Sequence, residues 1–450
     1  MRIAVVGSGI SGLGSAYLLN QEHEVRLFEK DSRIGGHSHT VEARFGEHLV
    51  PVDTGFIVYN ELNYPNLTGL FDHLGVETLE SDMSFAVSLQ QRRYEYEGSL
   101  RGLLASPGNF LRPRFWQMLS DLTRFYRVAA VEAEQAEDEE TLGQFIERLQ
   151  LGAAFVEDHL LPMGAAIWSC PASTMLDFPA RSFIQFMNNH RLLHYSGRPV
   201  WRTVAGGSRS YVKKITDQLD CVETGTNITG LRREAGGVIL TIAGEGDVWF
   251  DRVILAAHAD QSLALISDAS PQERNLLSSF RFQPNRVLLH SDASFMPKKR
   301  ACWASWNYLS AEDPEAGLCV TYWMNKLQSI ADDAPLFVTL NPFEEPDPAL
   351  LHREFSYDHP VFDRPALQAQ KDLASIQGQN GLFFCGAWTR NGFHEDGLAS
   401  AAAMARTLGV VIPWNSPTEA WPVPDNADLP LPAALSGPAA LPGLTGMVGA

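Results

Sequence analysis

The chain begins with a short unbroken apolar run, IAVV at residues 3 to 6, and passes at once into GSGISGLGSAYLL. A run this short, closed by glycine, predicts a fully buried strand, and the helical spacing of Ala16 and Leu19 after it predicts a helix packed upon it. HEVRLFE (23 to 29) predicts a second strand that ends in Glu29. A different texture occupies residues 285 to 342. There NRVLLHSD, ACWASWNYL, GLCVTYWMNKL and PLFVTLNP alternate apolar and polar positions, which predicts strands of an antiparallel sheet. Residues 411 to 450, rich in Pro, Ala, Gly and Leu without a sustained period, predict an irregular or disordered tail.

One helical pattern has two readings. Leu111, Phe115, Met118, Leu119, Leu122 and Tyr126 recur at helical spacing beside Trp116, and residues 92 to 127 hold seven Arg against three acids. A basic helix with an apolar face suits peripheral contact with a lipid surface. It equally suits a helix packed on the core with solvated arginines. EAEQAEDEE then places six acids within residues 132 to 140.

A length of 450 residues implies two domains with room for a ligand between them. The formal charge of −18 and pI near 5.1 argue against nucleic acid as a partner, since phosphate binding needs surplus Lys and Arg. The start MRIAVVGSG has no leader character, and no run reaches membrane-spanning length. Five cysteines, Cys170, Cys221, Cys302, Cys319 and Cys385, lie far apart without a CxxC pair. These features predict a cytoplasmic protein, in contact with the inner membrane surface if the 92–127 segment meets lipid, with neither disulfides nor structural metal.

The chemistry starts with spacing. Gly7-x-Gly9-x-x-Gly12 follows a strand and opens a helix, so Gly7 permits the turn, Gly9 admits a pyrophosphate and Gly12 lets helix and strand approach. The amides of Ile10 and Ser11 then face the anion. Glu29 ends the second strand about 20 residues on, where a carboxylate accepts from ribose hydroxyls. An adenine dinucleotide follows, and the next segment selects between FAD and NAD. KDSRIGGHSHT brings Lys30, Arg33, Gly35, Gly36, His37, His39 and Thr40, a second glycine pair suited to a loop running along pyrophosphate and ribityl chain toward a flavin.

This arrangement resembles the flavin-containing amine oxidase superfamily, which includes protoporphyrinogen and carotenoid oxidoreductases. PVDTGFIV (51 to 58) looks like its strand and turn after the glycine pair, and GGSRSYVKKI (206 to 215) like its GG-containing helix. CVETGTNITGL looks like the strand pair whose backbone near Ile228 meets adenine, DRVILAAHA like the closing strand with Ala257, and FFCGAW with GFHEDGLASA like the last strand and helix. VDTGFIVYNELNYPNLTGLFDHLGV and SDMSFAVSL more closely resemble the flavoprotein domain fused to plant cyclopropane fatty acid synthases and its stand-alone bacterial relatives, including the desaturase of the furan fatty acid pathway.

The resemblance implies an α/β fold: a Rossmann-like FAD-binding domain of glutathione-reductase type with a discontinuous α+β substrate domain containing an antiparallel sheet. The FAD domain would be residues 1–60, 205–265 and 378–410, the substrate domain 61–204 and 266–377, and the tail 411–450. Non-covalent FAD would be held further by Thr54, Gly55, Phe56, Gly386, Trp388, Glu395, Asp396, Gly397 and Leu398. Cys385, in a strand pattern, reads as a buried thiol rather than a flavin attachment.

Departures narrow the reading. Ala387 stands where amine oxidases place a ribityl-binding Glu, and Trp388 is the nearest candidate for an aromatic cage. Lys298 and Lys299, in FMPKKR, read as an exposed turn rather than a flavin-side lysine. His394 and Glu395, adjacent in NGFHEDGLAS, are not a metal pair. The resemblance implies hydride transfer to flavin from a methyl-branched unsaturated acyl chain of a lipid, with a lipid methyltransferase as partner and His37, His39, Tyr59 and His394 as candidate bases. Amine oxidase, polyene or porphyrinogen-type dehydrogenase, and non-catalytic flavoprotein partner of the methyltransferase remain open alternatives.

Overall fold

A computed structural model describes residues 1–90, 92–137, 139–168, 172–310 and 319–422. The opening apolar run lies in the central strand of a five-stranded parallel sheet ordered Val222–Glu223, Glu24–Phe28, Arg2–Val6, Arg252–Leu255, Leu382–Phe384. Strand alternation explains why this run carries no polar residue. Ile3 and Val5 pack into one core cluster and Ala4 and Val6 into another on the opposite face.

Helices Ile10–Leu19 and His394–Thr407 pack against each other within the cluster that holds Ile3 and Val5. All ten residues of Ile10–Leu19 are buried, which is why its sequence lacks a polar stripe. Glycines permit the contact: a Cβ on Gly14 would lie 2.6 Å from Leu398 Cδ1, and one on Gly397 2.8 Å from Ile10 Cγ2. The opposite cluster adds the antiparallel strands Ile228–Glu234, Gly237–Ile242 and Gly246–Phe250.

The second sheet has seven strands, ordered Leu351–Val361, Arg281–His290, Phe337–Leu340, Cys319–Trp323, Trp306–Leu309, Phe85–Leu89, Tyr94–Glu97. Its pairs are antiparallel except Trp306–Leu309 with Phe85–Leu89. The predicted antiparallel sheet is therefore present with a parallel seam, where chain from before residue 100 joins chain from after 280.

Helix Pro113–Glu134 turns Phe115, Met118, Phe125, Ala129 and Ala133 inward, so most of the apolar stripe seen in sequence serves the core and not a lipid surface. Leu111, which precedes the helix, is 87% exposed, and Trp116 in its first turns is exposed too. In the acidic run that follows, Glu132 and Glu140 both pair with Arg148 at 2.7 Å. Lys298 and Lys299 are exposed, as the turn pattern implies, and their amides donate to the buried Glu95 carboxylate at 2.7 and 3.1 Å.

The start of the tail is irregular, as its composition implies, yet held in place. Residues 411 to 422 are irregular but packed: Ile412 and Trp414 are buried, and Ser416 and Thr418 hydrogen-bond the Asn66 side chain at 2.5 and 2.9 Å. Residues 423 to 450 lie outside the described residues, as does Cys170. Among the described residues no helix is long and apolar enough to cross a membrane.

Candidate active site

The three glycines of the first motif do separate work. Gly7 has φ +100°, and a Cβ there would sit 2.6 Å from Ala256 O; one on Gly12 would sit 1.8 Å from Gly7 O. At Gly9 a Cβ would meet nothing within 4 Å. Two glycines close the turn and the third faces open space. The second glycine pair folds back onto this place: Gly35 donates to Ser8 O at 3.1 Å, and a Cβ on Gly36 would lie 3.0 Å from Gly9 Cα. No side chain caps helix Ile10–Leu19, which leaves its first amides, including Ile10 and Ser11, for an anion.

Glu29 is buried at the end of its strand. One carboxylate oxygen accepts from Ser8 N (2.9 Å) and Ser8 Oγ (2.6 Å), the other from Asp31 N (2.9 Å). Three of about four acceptor positions are thus filled, leaving one for a ribose hydroxyl. The loop before Ile228 closes over the strand end, with Thr226 N donating to Glu29 O at 2.9 Å. Lys30 is exposed, and the Arg33 guanidinium reaches Ile34 O at 3.4 Å.

Beyond the glycines, backbone pairing draws the 51–58 turn onto the second loop. Thr54 N donates to His39 O (3.0 Å) and Phe56 N to His37 O (2.7 Å), while a Cβ on Gly55 would strike His37 O at 2.3 Å. Asp53, buried below, accepts from Thr40, Ser208 and Gln328, tying the turn to helix Arg209–Thr216 and to the chain just after helix Met324–Leu327.

These contacts assemble a histidine cluster. The His394 ring stacks on Phe56 at 3.9 Å and 9°. Its Nε2 hydrogen-bonds Tyr211 Oη at 2.6 Å and approaches Ser38 Oγ at 3.3 Å. The His37 ring lies 5.0 Å from Tyr357 and 5.4 Å from His359. His39 Nδ1 hydrogen-bonds Tyr357 Oη at 2.7 Å, and that hydroxyl also meets Thr54 Oγ1 at 2.7 Å. His37 Nε2 is buried without a hydrogen-bond partner, an orphan that a bound polar group would satisfy. Among the described residues no carboxylate hydrogen-bonds any of the three, and no group of His, Cys, Asp and Glu is arranged to hold a metal ion.

Several sequence expectations change. Glu395 is committed to helix Pro65–Leu74: one oxygen accepts from Asn66 N and Nδ2 at 3.0 and 2.7 Å, the other from Leu67 N at 3.0 Å. Asp396 accepts from Phe393 N at 2.9 Å and so caps its own helix. Both carboxylates are structural rather than cofactor ligands. Trp388 is buried against Phe280 and donates its indole N–H to Ala257 O at 3.1 Å, so it cannot form an aromatic cage. Gly386, beside it, donates to Ser400 Oγ at 3.0 Å. Leu398 is fully buried between the two packed helices. Tyr59 sits among Tyr64 and Phe71 in the small sheet Tyr59–Asn60, Trp201–Val204, Thr78–Ser81, with no ring contact or hydrogen bond to the histidines among the described residues. Cys385 is buried, with its thiol toward Ser400 O at 3.6 Å.

Sequence reasoning missed Ser38, Tyr211, Tyr357 and His359. One signal was available: Phe355, Tyr357 and His359 share one face of a strand by period two. Tyr211 and Ser38 had none, because their meeting depends on long-range packing.

Burial sets the protonation of the cluster. It lowers His39 and His359 to about 4 and His394 to about 3, and takes His37 well below the ordinary histidine range. These rings are neutral at pH 7. An unfolded chain protonates its histidines near pH 6.5 while the folded chain leaves these neutral, so stability is lost as pH falls from 6.5 toward 4. Glu395 and Asp396, raised by burial to about 7 and 6, act in the opposite sense but are fewer. Tm should therefore drop steadily on acidification through this window by differential scanning calorimetry; a Tm flat from pH 7 to 4 would contradict the buried neutral histidines.

Parallel sheet, glycine turn, uncapped helix and the open space at Gly9 define a dinucleotide-binding protein with a second, seven-stranded sheet. Residues 10–298 match the family of flavin containing amine oxidoreductases. The chain belongs to that family, and FAD is its cofactor. Its fold is shared with the CLA-producing fatty acid isomerase from P. acnes (17% identity, TM-score 0.66, 90% of this chain and 98% of that one). Cyclohexylamine oxidase from Brevibacterium oxydans IH-35A is similar (15%, 0.65, 91% and 99%), as is putrescine oxidase bound to putrescine (13%, 0.64, 90% and 98%). No curated protein matches the sequence significantly.

Proposed function

We propose that this FAD-dependent oxidoreductase dehydrogenates an unsaturated, methyl-branched acyl chain of a lipid, the branch being supplied by a lipid methyltransferase. The observation that carries the reading is the neutral histidine cluster around Phe56, whose rings His37, His39 and His394 have no carboxylate hydrogen-bonded to them among the described residues. An ammonium substrate would find no anionic partner there, whereas an uncharged acyl chain needs none. The fatty acid isomerase among the structural neighbours is consistent with a fold that accommodates acyl chains.

Gly9, Gly36 and the amides of Ile10 and Ser11 would hold the pyrophosphate, Glu29 the ribose, and the Thr54–Phe56 turn with His37 the flavin end. When bound, FAD supplies a two-electron hydride acceptor. The residues of the chain do the rest. Phe56 holds the His394 ring face-on, while Tyr211 and Ser38 fix its Nε2 edge. Neutral His394 accepts a proton from the carbon next to the one that gives up hydride, so the C–H electron pair left behind forms the new double bond of a conjugated diene. Tyr357 fixes His39 in a supporting position.

A second reading has one observation in its favour. Phe393, Glu395 and Asp396 line a cavity of about 300 Å³ with Asn63, Gln185 and His190, a polar place for an amine. Its two acids are occupied by backbone amides, however, and burial raises both toward neutrality.

Anaerobic titration separates the readings. Bleaching of the flavin by phospholipid carrying a methyl-branched unsaturated chain, with a diene in the extracted lipid, is the expected result. Bleaching by amines alone would establish an amine oxidase, and indifference to lipid, amine and polyene would leave a non-catalytic flavoprotein.

A further inference from the structure

Among the described residues, the three most exposed leucines fall in one stretch, with an exposed tryptophan beside them. Leu100 is 82% exposed, Leu104 65%, Leu111 87% and Trp116 54%. Leu100 and Leu104 stand one turn apart on helix Leu100–Leu104, and Trp116 is pinned by its indole N–H to Phe110 O at 2.9 Å. Water normally drives such side chains inward, and a concentration of them marks a contact surface.

The surrounding charge says what kind of surface. Arg93, Arg101, Lys298, Lys299 and Arg300 are all exposed. The two segments that carry them are locked together: Glu95 receives the Lys298 and Lys299 amides, Asn109 Nδ2 donates to Glu95 O at 2.9 Å, and Lys299 Nζ meets Ser106 Oγ at 2.8 Å. Among the described residues none of these five cations is in an ion pair. The acids nearby are already engaged: buried Glu95 by those amides, half-buried Glu97 by the Ser99 hydroxyl. In a chain of net charge −18, five cations against these two acids make a locally basic patch around exposed leucines and a tryptophan, complementary to an anionic, apolar-cored surface.

We infer that this face docks the protein on an anionic phospholipid bilayer, with Leu100, Leu104, Leu111 and Trp116 entering the acyl boundary and Arg93, Arg101 and Lys298 on the headgroups. The leucines supply apolar area, the cations supply attraction to anionic lipid, and the tryptophan suits the interface between them. The inference rests on the acyl-lipid reading for its purpose, since a substrate chain held in a bilayer must be met at the bilayer.

The test is co-sedimentation of the FAD-loaded protein with vesicles of equal parts phosphatidylglycerol and phosphatidylcholine, and with phosphatidylcholine alone. Binding to the anionic vesicles only, weakened by salt, is expected. Arg101→Gln and Lys298→Gln should each cost about fivefold in affinity, and the combined Leu100→Gln, Leu104→Gln, Leu111→Gln variant more than about tenfold. All these positions are exposed, and retained flavin absorbance confirms folding. Failure of the native protein to sediment, or unchanged binding in the leucine variant, overturns the inference and returns the patch to a protein partner. Sedimentation reads no turnover, so vesicle binding without lipid oxidation removes only the substrate reading. Oxidation of detergent-dispersed lipid without vesicle binding removes only the docking surface.

Discussion

Gly12→Ala is expected to yield a protein that neither folds stably nor retains flavin, whereas Gly9→Ala should fold normally and still lose flavin. The added methyl at Gly12 would lie 1.8 Å from Gly7 O. That carbonyl cannot retreat, because Gly7 N is bonded to Phe28 O at 2.8 Å and Gly7 itself abuts Ala256. Overpacking in ordinary cores costs about 1–3 kcal/mol with flexible neighbours to absorb it. Backbone against backbone should cost more than about 3 kcal/mol. Gly9 has φ −65° and ψ −179°, open to any residue, and its Cβ would meet nothing. Its stability should stay within about 0.5 kcal/mol of native. The methyl would instead fill the space where a pyrophosphate reaches the helix amides. Chemical denaturation and the ratio of flavin to protein absorbance separate the two variants. Flavin held at native affinity by Gly9→Ala would place the pyrophosphate elsewhere.

That contrast shows what was legible in the sequence. The role of each glycine in GSGISG follows from local geometry, so strand, turn and helix could be read from the seventeen residues 3 to 19. The central strand of the parallel sheet was legible as an unbroken apolar run, and its neighbour Glu24–Phe28, which carries Arg26, from its spacing to Glu29. The fourth predicted antiparallel strand, PLFVTLNP, likewise appears as Phe337–Leu340. The pairing of Phe85–Leu89 with Trp306–Leu309 was not legible, since alternation marks a strand but not its neighbour. Nor was the fate of Glu395 and Asp396. In sequence they are two acids at a helix start near a cofactor; only the arrival of helix Pro65–Leu74 shows that Glu395 caps it. Of the two readings of the helix after Leu111, packing of Phe115 and Met118 selects the core for that face, because a stripe signals that a surface is covered and not by what.

The second large effect concerns the base. His394→Asn should retain FAD and fold while kcat on the acyl substrate falls by about 10²- to 10⁴-fold, the usual worth of a positioned proton acceptor. Three of its neighbours argue for the role: Phe56 stacks on the ring, and Tyr211 and Ser38 hold one nitrogen. Among the described residues Nδ1 makes no hydrogen bond and stays available for the proton. His37→Asn offers the control. His37 makes no hydrogen bond through Nε2 and faces Tyr357 and His359, so its loss should weaken flavin binding more than turnover per bound flavin. The pH profile adds an independent readout. A base must be unprotonated, and burial holds His394 down at about 3. The acid limb of kcat/KM should therefore lie well below pH 6, and an acid limb at the ordinary histidine value near 6.5 would mean that a solvated histidine does the work. If His394→Asn turns over normally and His37→Asn does not, the proton belongs to His37, and the stack on Phe56 serves only to wall the site.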